Sequence, residues 1–267
     1  MTRDLWALGA AYDAYVGRWS RRVAERFLRW LAVPAGRHWL DVGCGTGALT
    51  ATVLTVAEPA SVVGVDPSVP FLSAAVGSGP GARFVAGDGA ALPLPDARFD
   101  AVVSGLALNF VPEPARAVAE FARVARPGGL AAAYVWDYAD GMAMMRHFWD
   151  AARAVRPAAA ELDEAGRFPV CQPGPLHDLW SAAGFTDVVT EPIEIQMPFA
   201  DFDDYWQPFL GGQGPAPGYL MSLPEQDRRA LRENLRGRLP IAADGSIPLT
   251  ARAWAVRGLS REAGTAR

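Results

Sequence analysis

Short apolar segments alternate with amphipathic segments along the first half of the chain. Five segments are apolar nearly throughout, as strands covered on both faces of a sheet are: His38–Val42, Ser61–Val65, Ala82–Ala86, Phe99–Ser104 and Leu130–Trp136. Segments with helical periodicity lie between them: Ala48–Ala57, Ser68–Val76 and Pro114–Ala125. Because strands that alternate with helices are joined by right-handed crossovers, we predict an α/β fold with a doubly wound, mostly parallel sheet.

The flanking segments predict helices and two further strands. An amphipathic helix is expected at Tyr12–Leu31, with an arginine-rich face that we interpret as solvated. Beyond the fifth strand the pattern predicts helices at Gly141–Val155, Leu176–Ala183 and Phe202–Leu210, and strands at Val188–Met197 and Thr250–Arg257. We expect one domain over residues 1–267, with an N-terminal helix (1–35), a core (36–137) and cap insertions at 138–175 and 199–247.

Composition and charge narrow the class of protein. The 51% hydrophobic content suits a globular chain, and the net charge of −4 argues against a nucleic-acid surface. Two cysteines without ligand spacing indicate a reduced intracellular protein, so we expect a cytoplasmic location. The longest uncharged stretch, Tyr205–Pro224, holds four prolines and four glycines and predicts no membrane span.

A glycine-rich turn follows the first strand and opens the next helix. Its glycines, Gly43, Gly45 and Gly47, allow a tight turn and a close approach of the backbone to a ligand. The helix that follows directs free N–H groups toward that ligand. We therefore predict a ligand site at this turn.

Asp66 ends the second strand, 19 residues beyond Gly47. In doubly wound folds a carboxylate at this place accepts hydrogen bonds from ribose hydroxyls. The alternative is that Asp66 caps the helix that begins at Pro67 or Ser68.

The turn is compatible with two cofactors. Gly43, Gly45 and Ala48 satisfy the dinucleotide fingerprint, which would indicate an NAD(P)-dependent oxidoreductase. Asp41 at the start of the turn and Asp88 after the third strand instead favour a ligand that carries positive charge and no phosphate. S-adenosylmethionine (SAM) has a sulfonium and an ammonium group, and it suits this set of carboxylates better.

Five motifs occur in the order typical of one family: Trp39–Gly47, Gly64–Ser68, Gly87–Pro93, Phe99–Val103 and Arg126–Gly129. On these motifs the chain resembles class I SAM-dependent methyltransferases, and most closely the group that includes the ubiquinone and menaquinone C-methyltransferases. The resemblance covers about residues 36–137. It implies a seven-stranded Rossmann-like sheet, SAM as cofactor and S-adenosylhomocysteine (SAH) as product.

The resemblance also implies roles for individual residues. Asp41 would lie near the ammonium group of SAM, and the three glycines would lie beside its methionyl part. Further positions implied at the cofactor are Asp66 with Pro67 at the ribose, Asp88 and Gly89 at the adenine, Ser104 beside the cofactor, and Tyr12 and Trp19 covering it. For Trp19, packing of the helix against the core is an equal alternative.

The acceptor is expected to be a small, apolar or aromatic molecule, because the predicted insertions are rich in aromatic and methionine side chains. Methyl transfer needs alignment more than a dedicated catalytic group. Candidates for a base are His147, Asp137 and Tyr138, although such a histidine is more often a surface or packing residue. No local pattern predicts a metal. A SAM-binding protein without methyl transfer activity is a further alternative.

The segment Tyr205–Tyr219 combines hinge-forming glycines with aromatic residues. We consider it either a mobile flap over the acceptor or a surface loop that its aromatics fix to the core.

Overall fold

The structure, a computed structural model, describes residues 17–212 and 214–262. Within these residues seven strands form one sheet in the order β3-β2-β1-β4-β5-β7-β6. The strands are β1 (His38–Val42), β2 (Ser61–Asp66), β3 (Arg83–Ala86), β4 (Phe99–Gly105), β5 (Ala125–Trp136), β6 (Thr186–Phe199) and β7 (Ile247–Leu259). The predicted α/β fold with a doubly wound, mostly parallel seven-stranded sheet is confirmed.

Helices connect most of these strands. The α-helices are α1 (Arg18–Leu31), α2 (Ala48–Val56), α3 (Val69–Ser78), α4 (Pro114–Val124), α5 (Ala143–Val155), α6 (Glu164–Arg167), α7 (Pro173–Ala182), α8 (Phe202–Trp206), α9 (Pro215–Ser222) and α10 (Glu225–Arg238). Short 3₁₀ helices occupy Leu108–Phe110, Pro157–Leu162 and Gln207–Gly211.

Strand β1 lies at the centre of the parallel part of the sheet. Asp41 pairs in register with Gly64 of β2 on one side and with Val103 of β4 on the other. Strand β3 is parallel to β2, and β5 is parallel to β4. The carboxyl ends of β1 to β5 therefore meet at one edge of the sheet, where open α/β sheets bind ligands.

Helix α1 has the amphipathic character that its sequence predicts. Val23 and Phe27 are fully buried, and the Phe27 ring lies 4.7 Å from that of Tyr134 on β5. Arg21 and Arg26 on the opposite face are exposed, as expected of a solvated face.

The described residues group into two compact units. The core unit comprises residues 20–135, 170–193 and those from 254 onward, and it contains the parallel strands. The second unit comprises residues 136–169 and 194–253, together with the start of α1 up to Trp19. Its boundaries lie near the predicted insertions at 138–175 and 199–247, whereas the single-domain organisation stays a prediction.

Two parts of the fold differ from the sequence prediction. Strand β5 begins at Ala125 instead of Leu130, with an irregular register between Phe99 and Ala101 of the neighbouring strand. Helices α9 and α10 lie in a region for which no helix was predicted. Helix α9 is rich in proline and glycine, and α10 buries only Leu231 and Leu235, so neither has a pronounced apolar stripe.

Candidate functional site

The glycine-rich turn between β1 and α2 is anchored to the end of β2. The backbone N–H groups of Gly43 and Cys44 donate to the carbonyl oxygen of Val65, at 2.8 and 3.1 Å. The three glycines of the turn all have positive φ angles, 72° at Gly43, 53° at Gly45 and 90° at Gly47. The turn is therefore held in a conformation that L-amino acids with side chains rarely adopt.

The glycines serve different purposes. A Cβ atom on Gly43 would lie 2.5 Å from the Cβ of Ala107, and one on Gly47 would lie 3.2 Å from the Cβ of Ala75. These two positions are glycine because other segments pack against them. A Cβ on Gly45 would meet nothing within 4 Å, so this residue borders open space.

Asp41 is fully buried at the end of β1. Its Oδ2 accepts a hydrogen bond of 2.6 Å from the Thr50 hydroxyl, whereas its Oδ1 has no hydrogen-bond partner within residues 17–212 and 214–262. Burial raises the pKa of Asp41 to about 7; the hydrogen bond from Thr50 opposes this rise, and the charge of Asp66 adds to it. A buried carboxylate oxygen without a donor is the group that a cationic N–H ligand would satisfy.

Asp66 is fixed against the glycine turn. Its Oδ2 accepts from the backbone N–H of Gly45 at 2.9 Å, and its Oδ1 accepts from that of Ser68 at 2.8 Å. Burial raises its pKa although these two hydrogen bonds lower it. Each carboxylate oxygen has a second lone pair for a ligand hydroxyl.

The cap of helix α3 is not Asp66. Ser68 is its N-cap residue and accepts a hydrogen bond from the Phe71 N–H at 3.4 Å. Pro67 between them is exposed. The alternative that Asp66 caps helix α3 is therefore wrong. Its carboxylate instead accepts hydrogen bonds from the backbone of Gly45 in the glycine turn and of Ser68 before the helix.

The other predicted residues of the core unit lie at the same edge of the sheet. Asp88 is exposed beyond β3, and its Oδ1 accepts from the Ala90 N–H at 2.9 Å. A Cβ on Gly89 would lie 3.1 Å from Val42, which places Gly89 beside the end of β1. Ser104 is buried near the end of β4. The structure thus places the residues that the sequence motifs predict as cofactor ligands in the core unit at one edge of the sheet.

Trp19 belongs to the second unit. It is buried and packs edge-on against Phe199, with 5.6 Å between ring centroids. The Arg18 guanidinium lies 4.7 Å from the centre of the Trp19 ring. These contacts favour the packing alternative for Trp19. Tyr12 lies outside the described residues.

The three candidates for a base lie at the start of the second unit. Asp137 is buried, and its Oδ2 accepts from Arg252, at 2.8 Å from Nε and 2.6 Å from Nη2. Its Oδ1 accepts from the Asp140 N–H at 3.2 Å. These contacts occupy both oxygens, which favours a structural role for Asp137.

Tyr138 and His147 are the other two candidates. Tyr138 is buried against Phe168, with 5.7 Å between ring centroids. His147 is half-buried, and burial lowers its pKa; Asp150 opposes this effect and Arg238 adds to it. A base role for either residue stays a prediction.

The segment Tyr205–Tyr219 is largely helical in its described part; Tyr205, Trp206 and Phe209 are buried, and Tyr219 is half-buried. Phe209 stacks on Phe148 at 4.6 Å between centroids, and the Tyr205 hydroxyl donates to the Met144 carbonyl oxygen at 2.8 Å. These contacts favour the alternative in which aromatic residues fix the segment to the core. The mobility of the segment stays a prediction.

Sequence reasoning missed one polar residue at the carboxyl edge. Asn109 follows β4 within an apolar run and is buried, and its amide nitrogen makes no hydrogen bond to any described residue. The only sequence signal was its isolation among apolar neighbours. Elsewhere in the described ranges, no helix is long and apolar enough to cross a membrane, and no three His, Cys, Asp or Glu residues cluster as metal ligands would.

Comparisons with known proteins agree with this geometry. The family model described as a methyltransferase domain matches residues 40–133. The nocamycin O-methyltransferase of Saccharothrix syringae is 31% identical, and the alignment covers 96% of this chain and 97% of that protein. A demethylmenaquinone methyltransferase of Renibacterium salmoninarum is 37% identical over 48% of this chain and 50% of its own length.

The fold has a counterpart among solved structures. A phosphoethanolamine N-methyltransferase of Haemonchus contortus, solved with SAH, superposes with a TM-score of 0.57 at 14% identity, covering 95% of this chain and 56% of that one. The chain belongs to the class I SAM-dependent methyltransferases. Its cofactor is SAM, its substrate is a small molecule, and the NAD(P) alternative is set aside.

Proposed function

We propose that the chain holds SAM at the carboxyl edge of β1 to β4 and methylates an oxygen atom of a small, largely apolar or aromatic molecule. The observation that carries the proposal is the buried Asp41 Oδ1 without a partner among the described residues, at the end of the strand that leads into the glycine turn. The full-length similarity to an O-methyltransferase supports oxygen as the acceptor atom.

Asp41 is suited to the ammonium group of the cofactor. Its buried position strengthens the attraction to a cation, and the Thr50 hydroxyl fixes the orientation of its carboxylate. A cationic donor at Oδ1 would complete its hydrogen bonds and lower its raised pKa.

Asp66 and Asp88 are suited to the nucleoside part. The backbone N–H groups of Gly45 and Ser68 hold Asp66 in one orientation, in which its remaining lone pairs accept from ribose hydroxyls. Asp88 is more exposed, and we assign it to the adenine amino group with Gly89 beside the ring. Ser104 would line the cofactor from β4.

The chain's own contribution to the reaction is alignment. When bound, the cofactor would supply a methyl group on a sulfonium: an O–C bond would form in line as the C–S bond breaks, and SAH would be the leaving group. The residues at the carboxyl edge fix the position of the bound molecule, and orientation alone can lower the barrier by several kcal/mol. A base is required only for an acceptor that is protonated at neutral pH.

Two measurements test this proposal. Calorimetry with SAH measures cofactor binding, and SAM labelled in its methyl group, incubated with a panel of hydroxylated aromatic compounds, measures transfer. We expect SAH to bind with one-to-one stoichiometry and labelled methyl ethers to form. SAH binding without release of SAH from SAM on any compound would support the alternative of a SAM-binding protein without methyl transfer activity. Labelled products methylated on nitrogen or carbon would contradict oxygen as the acceptor atom.

A further inference from the structure

The segment that leaves β4 contains one polar side chain in an apolar run. Leu106, Leu108 and Phe110 flank Asn109 in the sequence, and Asn109 lies in the 3₁₀ helix Leu108–Phe110. Asn109 is 8% exposed, and Leu108 is 1% exposed. An asparagine in such surroundings is uncommon unless its amide is hydrogen-bonded.

The amide nitrogen of Asn109 lacks that hydrogen bond in the described part of the chain. Its Nδ2 is buried and has no partner there. Burying an unpaired amide is costly, and a leucine would fill similar space without the cost. The contacts with described residues therefore do not explain why a polar side chain lies at this position.

The backbone just before Asn109 is strained. Leu106 has a φ of 57°, in the left-handed region that residues other than glycine rarely adopt. Its N–H donates to the Tyr134 carbonyl oxygen at 2.8 Å, and the Phe110 N–H donates to that of Ala107 at 2.9 Å. Strain of this kind concentrates at sites where a side chain must be held in one position.

The segment that carries Asn109 lies next to the glycine turn. Ala107 approaches Gly43 so closely that a Cβ there would be 2.5 Å away, and Asn109 follows two residues later. Strands β1 and β4 are parallel and paired at Asp41 and Val103, so both segments leave the sheet at the same edge.

We propose that the Asn109 amide binds the acceptor oxygen and thereby selects an apolar molecule that carries a hydroxyl or enol group. This proposal rests on the function proposed above. A carboxamide does not titrate near neutral pH, so Asn109 positions the oxygen and does not remove its proton. Its apolar neighbours suit an apolar acceptor with one polar group better than they suit the charged methionyl part of the cofactor.

The test compares two probes that differ by one hydroxyl group. Binding of 2-naphthol and of naphthalene to the SAH complex is measured by ligand-observed NMR for the wild type, Asn109→Leu and Asn109→Ala. The matched control is Asn234→Leu, which replaces an asparagine on α10 whose Oδ1 accepts from Arg238 at 2.6 Å.

We expect the hydroxyl to tighten binding to the wild type and to the control by roughly tenfold, as one net hydrogen bond does. In both Asn109 variants the two probes should bind with nearly equal affinity. SAH affinity should stay within about twofold of the wild type, and the melting temperature of Asn109→Leu should stay equal or rise because the buried Nδ2 has no hydrogen bond to a described residue to lose.

Three results would overturn the proposal: an unchanged preference for 2-naphthol in both Asn109 variants, a fall of about tenfold or more in SAH affinity, or failure of 2-naphthol to bind the wild-type complex. The second would assign the amide to the cofactor. Failure of the wild type to bind SAH at all would instead contradict the proposed function, so the two failures are distinguishable.

Discussion

Asp41 and Thr50 are joined by a hydrogen bond of 2.6 Å that occupies one oxygen of a fully buried carboxylate. The other oxygen has no partner among residues 17–212 and 214–262. The free protein therefore carries a destabilising group at the position where we place the cofactor's positive charge.

The variant Asp41→Asn should stabilise the protein in the absence of cofactor at pH 8. Burial raises the pKa of Asp41 from 3.8 to about 7, so between these values the folded state binds more protons than the unfolded state. Stability therefore falls as pH rises from about 4 to about 7, and it stays low above that range. Asparagine keeps an oxygen for Thr50 and has no charge to bury.

Thermal unfolding of both proteins at pH 5 and pH 8 measures this effect. Each kcal/mol gained at pH 8 corresponds to roughly 2–4 °C in a chain of this size. Buried Glu164, whose pKa burial raises to about 7, adds a slope of the same sign to both proteins and leaves the difference between them unaffected. Equal melting temperatures at pH 8 would contradict the raised pKa of Asp41.

Asp66→Ala should weaken SAH binding more than Asp88→Ala does. Two hydrogen bonds to a charged acceptor contribute about 1.5–3 kcal/mol each, so the loss at Asp66 is on the order of 100-fold or more. Asp88 is exposed, and its loss should cost about tenfold or less. Asp178→Ala, on the exposed surface of α7, is the control. An Asp66 variant that binds SAH as tightly as the control would refute the ribose assignment.

Asp137→Asn should lower stability without abolishing methyl transfer. Asp137 is buried in an ion pair with Arg252. Removing the charge of one partner leaves the other unpaired and lowers the free energy of unfolding, here by about 3 kcal/mol because Arg252 is partly exposed. Urea denaturation measures the loss, which the double variant with Arg252→Gln should partly reverse. A stable Asp137→Asn protein that cannot transfer a methyl group would instead identify Asp137 as the base.

We predict that methyl transfer does not require a divalent metal ion, because the sulfonium of the cofactor already supplies the reactivity. Turnover of any acceptor found in the screen should be unchanged after treatment with a chelator. Loss of turnover that magnesium or zinc then restores would contradict this prediction.

The sequence predicted the parallel part of the sheet well because its strands are short apolar runs separated by helical patterns. The same motifs nominated Asp41, Asp66, Asp88 and Ser104, which the fold brings to one edge because parallel strands share their carboxyl ends. Their roles as ligands of SAM stay predictions.

Other features depend on contacts between distant residues. Arg252 pairs with Asp137 across 115 positions, and no local pattern indicates such a pair. Helix α10 was missed because only Leu231 and Leu235 form its buried stripe. Asn109 was missed because the type of a single residue does not reveal whether its amide is hydrogen-bonded.

The most direct measurement of the central claim, that Asp41 binds the positive charge of the cofactor, is the number of protons released when SAM binds. Calorimetry at pH 6.5 in buffers of different ionisation enthalpy gives this number. At this pH a large part of Asp41 is protonated in the free protein, and a bound cation lowers its pKa. We predict release of a substantial fraction of a proton by the wild type and none by Asp41→Asn, which should also bind more weakly. Equal proton release by the two proteins, or none by the wild type, would contradict the account.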